Sequence, residues 1–445
     1  MPTHTLIAPS PWTPLAWWLL AAFAAGLALH LLLTLWLAAR QARHVQRHRA
    51  SVPAAFASAI SLQAHQRAAD YTTDSLRLGM LEATFSTLVL LGWTLLGGLD
   101  ALNHTLLHWL GAGFAQQLAL LLAFGAISAL LGLPWSLYKT FVIEQRHGFN
   151  RMSLRLWLAD ACRGALIALA LGVPLLAAVL ALMQAAGNLW WLWAWALWMS
   201  FQLLMMWLAP TVIAPLFNRF EPLTDEAVKA RILALMQRSG FTVQGLFVMD
   251  GSRRSAHANA YFTGLGAAKR VVFFDTLLGK LTAGEIEAVL AHELGHFKRR
   301  HIAKRLAAFS ALSLLGFALL GWLMQQSGFY LALGVQPALD TASGALDPRA
   351  NSALALVLFG LLAEVFGGLL QPLWAQLSRR QEFEADAYAA EQASAQELAS
   401  ALLKLYEDNA STLTPDPLYA RFYYSHPPAA ERLARMQTLS AGAAS

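Results

Sequence analysis

Five consecutive residues, His292-Glu293-Leu294-Gly295-His296, match the pattern H-E-x-x-H. Two histidines four apart on a helix lie on one face and can share a metal ion, while the glutamate beside them can take a proton from water. Zinc suits such work because it lowers the pKa of a water from 15.7 to about 7. Two imidazoles leave a hydrolytic zinc site one protein ligand short. The subclass that recruits a third histidine needs Gly at 299 and His at 302, where this chain has Arg299 and Ile302. His301 falls nine residues after His292, on the opposite face of a continuous helix, and reads as structural or solvated. A downstream carboxylate must complete the set. In residues 378–386, Glu382 and Asp386 are four apart and share a helix face, whereas Glu384 points elsewhere. Glu382 is the expected ligand, and Asp386 the expected hydrogen-bond partner that fixes a ligating imidazole. The plainer readings are a histidine pair without metal and a charged helix whose Arg379 and Arg380 sit at lipid headgroups.

The motif needs a helix to carry it. Thr282 and Glu285 form a capping box, and Ile286, Val289, Leu290 and Leu294 supply an apolar stripe to hold that helix down. Upstream, 227–238 has helical periodicity and ends at Gly240, while 243–249, 260–263 and 270–274 are short β-rich runs, so this stretch is expected to be α+β. A polar helix is expected over about 377–391, with two shorter ones starting near Ser394 and Pro428.

The rest of the chain is apolar. Of 445 residues, 57% are hydrophobic and 13% charged, about half the charge of a soluble domain. Seven runs, roughly 13–39, 80–99, 116–138, 164–183, 189–215, 304–325 and 352–377, are long enough to cross about 30 Å of hydrocarbon. The opening Met1–Pro11 lacks Lys and Arg, and the apolar run after it is too long for a signal peptide, so it reads as an uncleaved first span. Basic residues crowd the first, third and fifth connections, among them Arg40, Arg43, Arg47, Lys139 and Arg146, and are absent from the second and fourth. By the positive-inside rule the amino terminus is outside, and the long polar segment and tail are cytoplasmic. This placement assigns the net charge of +6 to the inner face of a bilayer and not to nucleic acid. With Cys162 alone, no intramolecular disulfide or multi-cysteine metal site is possible. Four parts are expected: spans one to five (1–215), the α+β segment with the motif (216–303), spans six and seven (304–377), and carboxy-terminal helices (378–445). Glu364, Gln371 and Glu382 would share a face if the last span continued through Pro372. The tryptophans of 190–207 read as a lipid-interface belt.

Longer runs resemble one family, the type I CaaX prenyl proteases. These are 143–150 (IEQRHGFN), 214–220 (APLFNRF), 255–264 (SAHANAYFTG), 271–278 (VVFFDTLL), 378–387 (SRRQEFEADA) and 424–433 (YSHPPAAERL), besides the zinc motif. The resemblance implies a predominantly α, seven-helix membrane barrel around a large water-filled chamber, with a small cytoplasmic α+β zinc-protease domain. It implies one zinc ion held by His292, His296 and Glu382, with Glu293 as general base. Asn259, just before an edge strand, and His426 would serve the substrate or the developing oxyanion. Arg432 would orient the site or bind a substrate carboxylate. The expected function is zinc endoproteolysis of a peptide or membrane-anchored protein, with the lipid bilayer as the other partner. Ala- and Leu-rich composition, with Arg over Lys, points to a bacterial cell membrane. General quality control of membrane proteins is the first alternative, and an inert zinc-containing scaffold or transporter the second.

Overall fold

A computed structural model describes residues 12–263 and 270–443. The uncharged opening, Met1–Pro11, and Gly264 at the end of one matched run lie outside the described residues. Among the described residues seven helices are long and apolar enough to cross a membrane: Pro14–Arg47, Leu62–Trp93, Phe114–Glu144, Leu154–Ala185, Gly187–Phe217, His301–Leu323 and Ser352–Leu369. Bulky apolar side chains such as Trp18, Leu166 and Leu315 stand on their outer faces, where lipid is the favourable solvent.

Several bounds differ from those expected, for physical reasons. The second span begins at Leu62, not near 80, because Ser61 caps it and the backbone ladder runs on through the polar residues His65, Asp70 and Asp74. Hydropathy marks the part in lipid, while helix length follows hydrogen bonding. The seventh span stops at Leu369, and a new helix runs Gln371–Gln392 with Pro372 in its first turn. There the missing amide costs nothing, whereas in a continuous helix the ring would clash with the preceding turn. Glu364 and Glu382 therefore belong to different helices. The connection expected at 100–115 is largely helix, Gly98–Leu110, and the tail has a further helix, Pro417–Tyr423.

Spans two to seven line a cavity of about 900 Å³, with Phe85, Trp93, Trp135, Leu176 and Phe317 on its walls and Glu82 and Glu364 among them. The tryptophans of 190–207 divide: Trp193 and Trp207 face outward, Trp198 lines the cavity and Trp190 is buried. Between spans five and six lies a four-stranded sheet in the order β1-β2-β4-β3, with β1 Phe220–Pro222, β2 Gly245–Met249, β3 Ala260–Thr263 and β4 Arg270–Phe274. Strand β1 was not expected; at three residues it is too short to show alternation. β2 and β4 are parallel and the other pairs antiparallel, leaving β3 at an edge. Val271 and Phe273 of β4 pack against Ile286, Leu290 and Leu294 of the motif helix, Ala283–Lys298, and this core extends to Ala389 and Leu398 downstream.

Candidate metal centre

The motif helix is held at both ends. At its start Thr282 Oγ1 accepts from the Glu285 amide at 3.2 Å, and the Thr282 amide donates to Glu285 Oε2 at 2.7 Å. The buried Glu285 carboxylate also accepts from Ser400 Oγ at 2.6 Å and Lys404 Nζ at 2.7 Å, tying the helix to Ala395–Asp408. Burial pushes the Glu285 carboxyl up, but Lys404, Ser400 and the Thr282 amide outweigh it and hold it below its usual range. At its other end the helix meets the acid helix, Gln371–Gln392, at Gly295. A β-carbon there would stand 2.9 Å from Ala385 Cα and 3.1 Å from its carbonyl oxygen. Glycine lets the two backbones touch.

That contact brings the distant acid to the histidines. His292 Nε2 and His296 Nε2 are 3.3 Å apart. Glu382, 2% exposed, places Oε2 3.4 Å from His292 Nε2 and Oε1 3.3 Å from His296 Nε2. The three ligand atoms lie within 4.8 Å of one another. Glu382 Oε2 is buried, and no group among the described residues meets it in good hydrogen-bond geometry, although His426 Nδ1 stands 2.8 Å away. Burial raises the Glu382 carboxyl, yet His292, His296 and His426 together hold it well below the usual range. Two imidazole nitrogens and an anionic oxygen without a hydrogen bond, converging in a buried space, fit a divalent cation with a preference for nitrogen.

The remaining contacts decide which ring nitrogens face that space. Asp386 Oδ1 is 2.8 Å from His292 Nδ1. A carboxylate only accepts, so Nδ1 carries the hydrogen and Nε2 presents its lone pair inward. With no cation bound, burial pushes the His292 imidazole down but Asp386 and Glu382 raise it to about 9, so a cation at Nε2 takes the place of a second proton. Arg432, itself buried, donates from Nη2 to Asp386 Oδ1 at 2.6 Å and from Nε to Oδ2 at 3.0 Å. Its guanidinium is thus engaged by a protein carboxylate.

His296 is served by two residues that the spacing argument set aside. His301 is 1% exposed, its Nδ1 lies 2.9 Å from His296 Nδ1, and its Nε2 lies 3.0 Å from Glu384 Oε2. The helix does not continue from 298 to 301: Arg300 adopts a left-handed conformation, φ 56°, and starts a new helix that turns His301 back. Periodicity cannot be carried across such a break. Glu384 accepts from His301 Nε2–H, which leaves Nδ1 of a neutral His301 to accept from His296 Nδ1–H, so His296 Nε2 also presents a lone pair. The close run of acids around Glu382 held the signal for Glu384; the break at Arg300 had none.

Glu293 is half-buried and makes no hydrogen bond or ion pair among the described residues. Asn259 is exposed beside edge strand β3, its Oδ1 taken by the Ala260 amide at 2.8 Å, with Nδ2 unengaged among the described residues. His426 is largely exposed next to Glu382.

Family models match along most of this chain. The model described as CAAX prenyl protease N-terminal, five membrane helices, covers residues 41–219, and peptidase family M48 covers 222–440. CAAX prenyl protease 1 of Saccharomyces cerevisiae is 37% identical over 337 residues, 73% of each chain. The human CAAX prenyl protease 1 homolog is 32% identical over 414 residues, 83% of this chain and 84% of its own. A crystal structure of S. mikatae Ste24p superposes with a TM-score of 0.86 at 30% identity, covering 96% of this chain and all of that one.

Proposed function

The chain belongs to peptidase family M48, among its CAAX prenyl proteases, and is an integral membrane zinc metallopeptidase; we propose that it hydrolyses a peptide bond of CAAX-type, membrane-anchored substrates at a single zinc ion held by His292, His296 and Glu382. The observation that carries this reading is the convergence of those three ligand atoms within 4.8 Å beside an uncommitted Glu293. When bound, zinc supplies Lewis acidity at the scissile carbonyl and makes a water acidic at neutral pH.

The protein's residues do the rest. Asp386 and the Glu384–His301 pair hold the two ring tautomers, and Arg432 compensates the buried Asp386 charge. Glu293 takes a proton from the attacking water as its oxygen adds to the carbonyl carbon. It then delivers that proton to the departing nitrogen as the C–N bond breaks. His426 and Asn259 Nδ2 are donors for the oxyanion. The substrate lies extended along β3, whose outer edge pairs with no other strand among the described residues. The basic connections support a cytoplasmic site and an outside amino terminus, and the Ala- and Leu-rich composition with Arg over Lys supports a bacterial cell membrane.

The test is cleavage of a prenylated CAAX peptide by purified protein with and without a chelator, beside Glu293→Gln. The variant should retain zinc and lose turnover; normal cleavage by it would refute the assignment. Faster cutting of a misfolded membrane protein than of the prenylated peptide would favour quality control instead.

A further inference from the structure

A second cavity, of about 760 Å³, opens beside the metal centre and shares His426 and Arg432 with it. Its walls come from the first two spans, the end of the third and the tail, and include the hydroxyl-bearing rings of Tyr71, Tyr406, Tyr419, Tyr423 and Tyr424. Among the described residues no aspartate or glutamate lines it. Two cations do. Arg432 is spent on Asp386 at 2.6 and 3.0 Å. Lys139 makes no hydrogen bond or ion pair among the described residues.

Lys139 opens the π-helical stretch Lys139–Glu144 at the end of the third span, a widened turn of the kind that gathers at functional sites. The acid in the same stretch, Glu144, feels the Lys139 charge but is bonded elsewhere: Tyr71 donates to it at 2.6 Å and His257 Nε2 lies 3.4 Å away. A lysine serving only as an interfacial anchor would extend its ammonium to lipid headgroups. This one faces a cavity free of acids among the described residues, where the Tyr419 and Tyr424 hydroxyls donate to no described acceptor, which selects for an anion.

Resting on the peptidase reading above, we propose that Lys139 binds the terminal carboxylate of the substrate, and that this cavity holds the residues downstream of the cleaved bond. Were it spherical, 760 Å³ would be about 11 Å across, the reach of roughly three extended residues at 3.3–3.6 Å each. The bond presented to Glu293 is then set by its distance from the free carboxyl end. Arg432, engaged by Asp386, has no such role.

The experiment uses the full-length, zinc-loaded protein in nanodiscs of zwitterionic lipid. The probes are a prenylated peptide with three residues after the modified cysteine, ending in a free acid, and the same peptide ending in a carboxamide. Wild type should prefer the acid by about 10- to 100-fold in kcat/KM, the worth of a charge-assisted hydrogen bond. In Lys139→Gln that ratio should fall towards one, and Lys139→Arg should keep most of it. Melting temperature and zinc content establish that each variant is folded. A wild type that cuts acid and amide equally overturns the anchor while leaving the peptidase reading intact. Undiminished acid preference in Lys139→Gln also overturns it and points to a lipid phosphate as the anion at Lys139. Zinc-dependent cleavage of neither peptide overturns both readings.

Discussion

Substituting alanine for Gly295 tests whether the metal centre depends on a backbone contact between two helices. The added β-carbon would stand 2.9 Å from Ala385 Cα, 3.1 Å from the Ala385 carbonyl oxygen and 3.2 Å from Tyr388 Cβ. Ordinary contact begins at 3.4 Å, so the helices must part by at least 0.5 Å (3.4 − 2.9). Full relief, at about 3.5–4.0 Å, asks for roughly 1 Å. None of the three atoms is the tip of a flexible side chain, so no rotamer change relieves the clash. Glu382 lies one turn before Ala385 on the same helix and moves with it, while metal–ligand distances tolerate only about 0.2 Å. Overpacking costs about 1–3 kcal/mol, against a gain of roughly 1 kcal/mol in helix propensity, so the net loss of stability is small. The loss of geometry is not. A misplacement near 1 Å can cost about 100-fold in rate. The expected outcome is a folded protein with zinc retention reduced against a competing chelator and kcat/KM lowered by about two orders of magnitude. Gly284→Ala on the same helix is the control, since the three atoms nearest its β-carbon, from 2.8 Å, all belong to the end of the flexible Glu397 side chain. It should be neutral or slightly stabilising. Wild-type zinc retention and activity in Gly295→Ala would refute the account.

Arg432→Met leaves the buried Asp386 carboxylate without its cation, and thermal or denaturant unfolding should show a loss of about 3–5 kcal/mol. Replacing Glu384 with Leu removes the acceptor that sets His301, and through it His296. Zinc affinity, read by competition with a chelator, should fall about 10- to 100-fold with the melting temperature nearly unchanged. The Glu285 carboxyl is held below its ordinary 4.5 in the folded protein, so its stabilisation is complete above that pH and is lost as pH falls through the lower folded value. A pH series of unfolding measurements should therefore show an acid limb below about pH 4.5 that Glu285→Gln flattens, with the variant less stable at neutral pH by about 1.5–3 kcal/mol.

Features governed by local backbone geometry were legible in the chain. Two histidines four apart must share a helix face, Thr282 and Glu285 three apart can close a capping box, and apolar runs of bilayer length identify the membrane helices. Each follows from the α-helical repeat or from the thickness of hydrocarbon, so neighbouring residues suffice. The pairing of Glu382 with Asp386 on one face belongs to the same class. Whether that face meets the histidines does not, because 86 residues and two spans separate Glu382 from His296. Packing decides it, through the contact of Gly295 with Ala385. The partnership of His296, His301 and Glu384 depends on one left-handed residue, Arg300, which broke the periodicity used to dismiss His301. The cavity beneath Lys139 is assembled from parts of the chain as distant as Gln41 and Arg432. Sequence order is silent on such arrangements, since a side chain's neighbours across a fold are chosen by the shapes of packed elements and not by its place along the backbone.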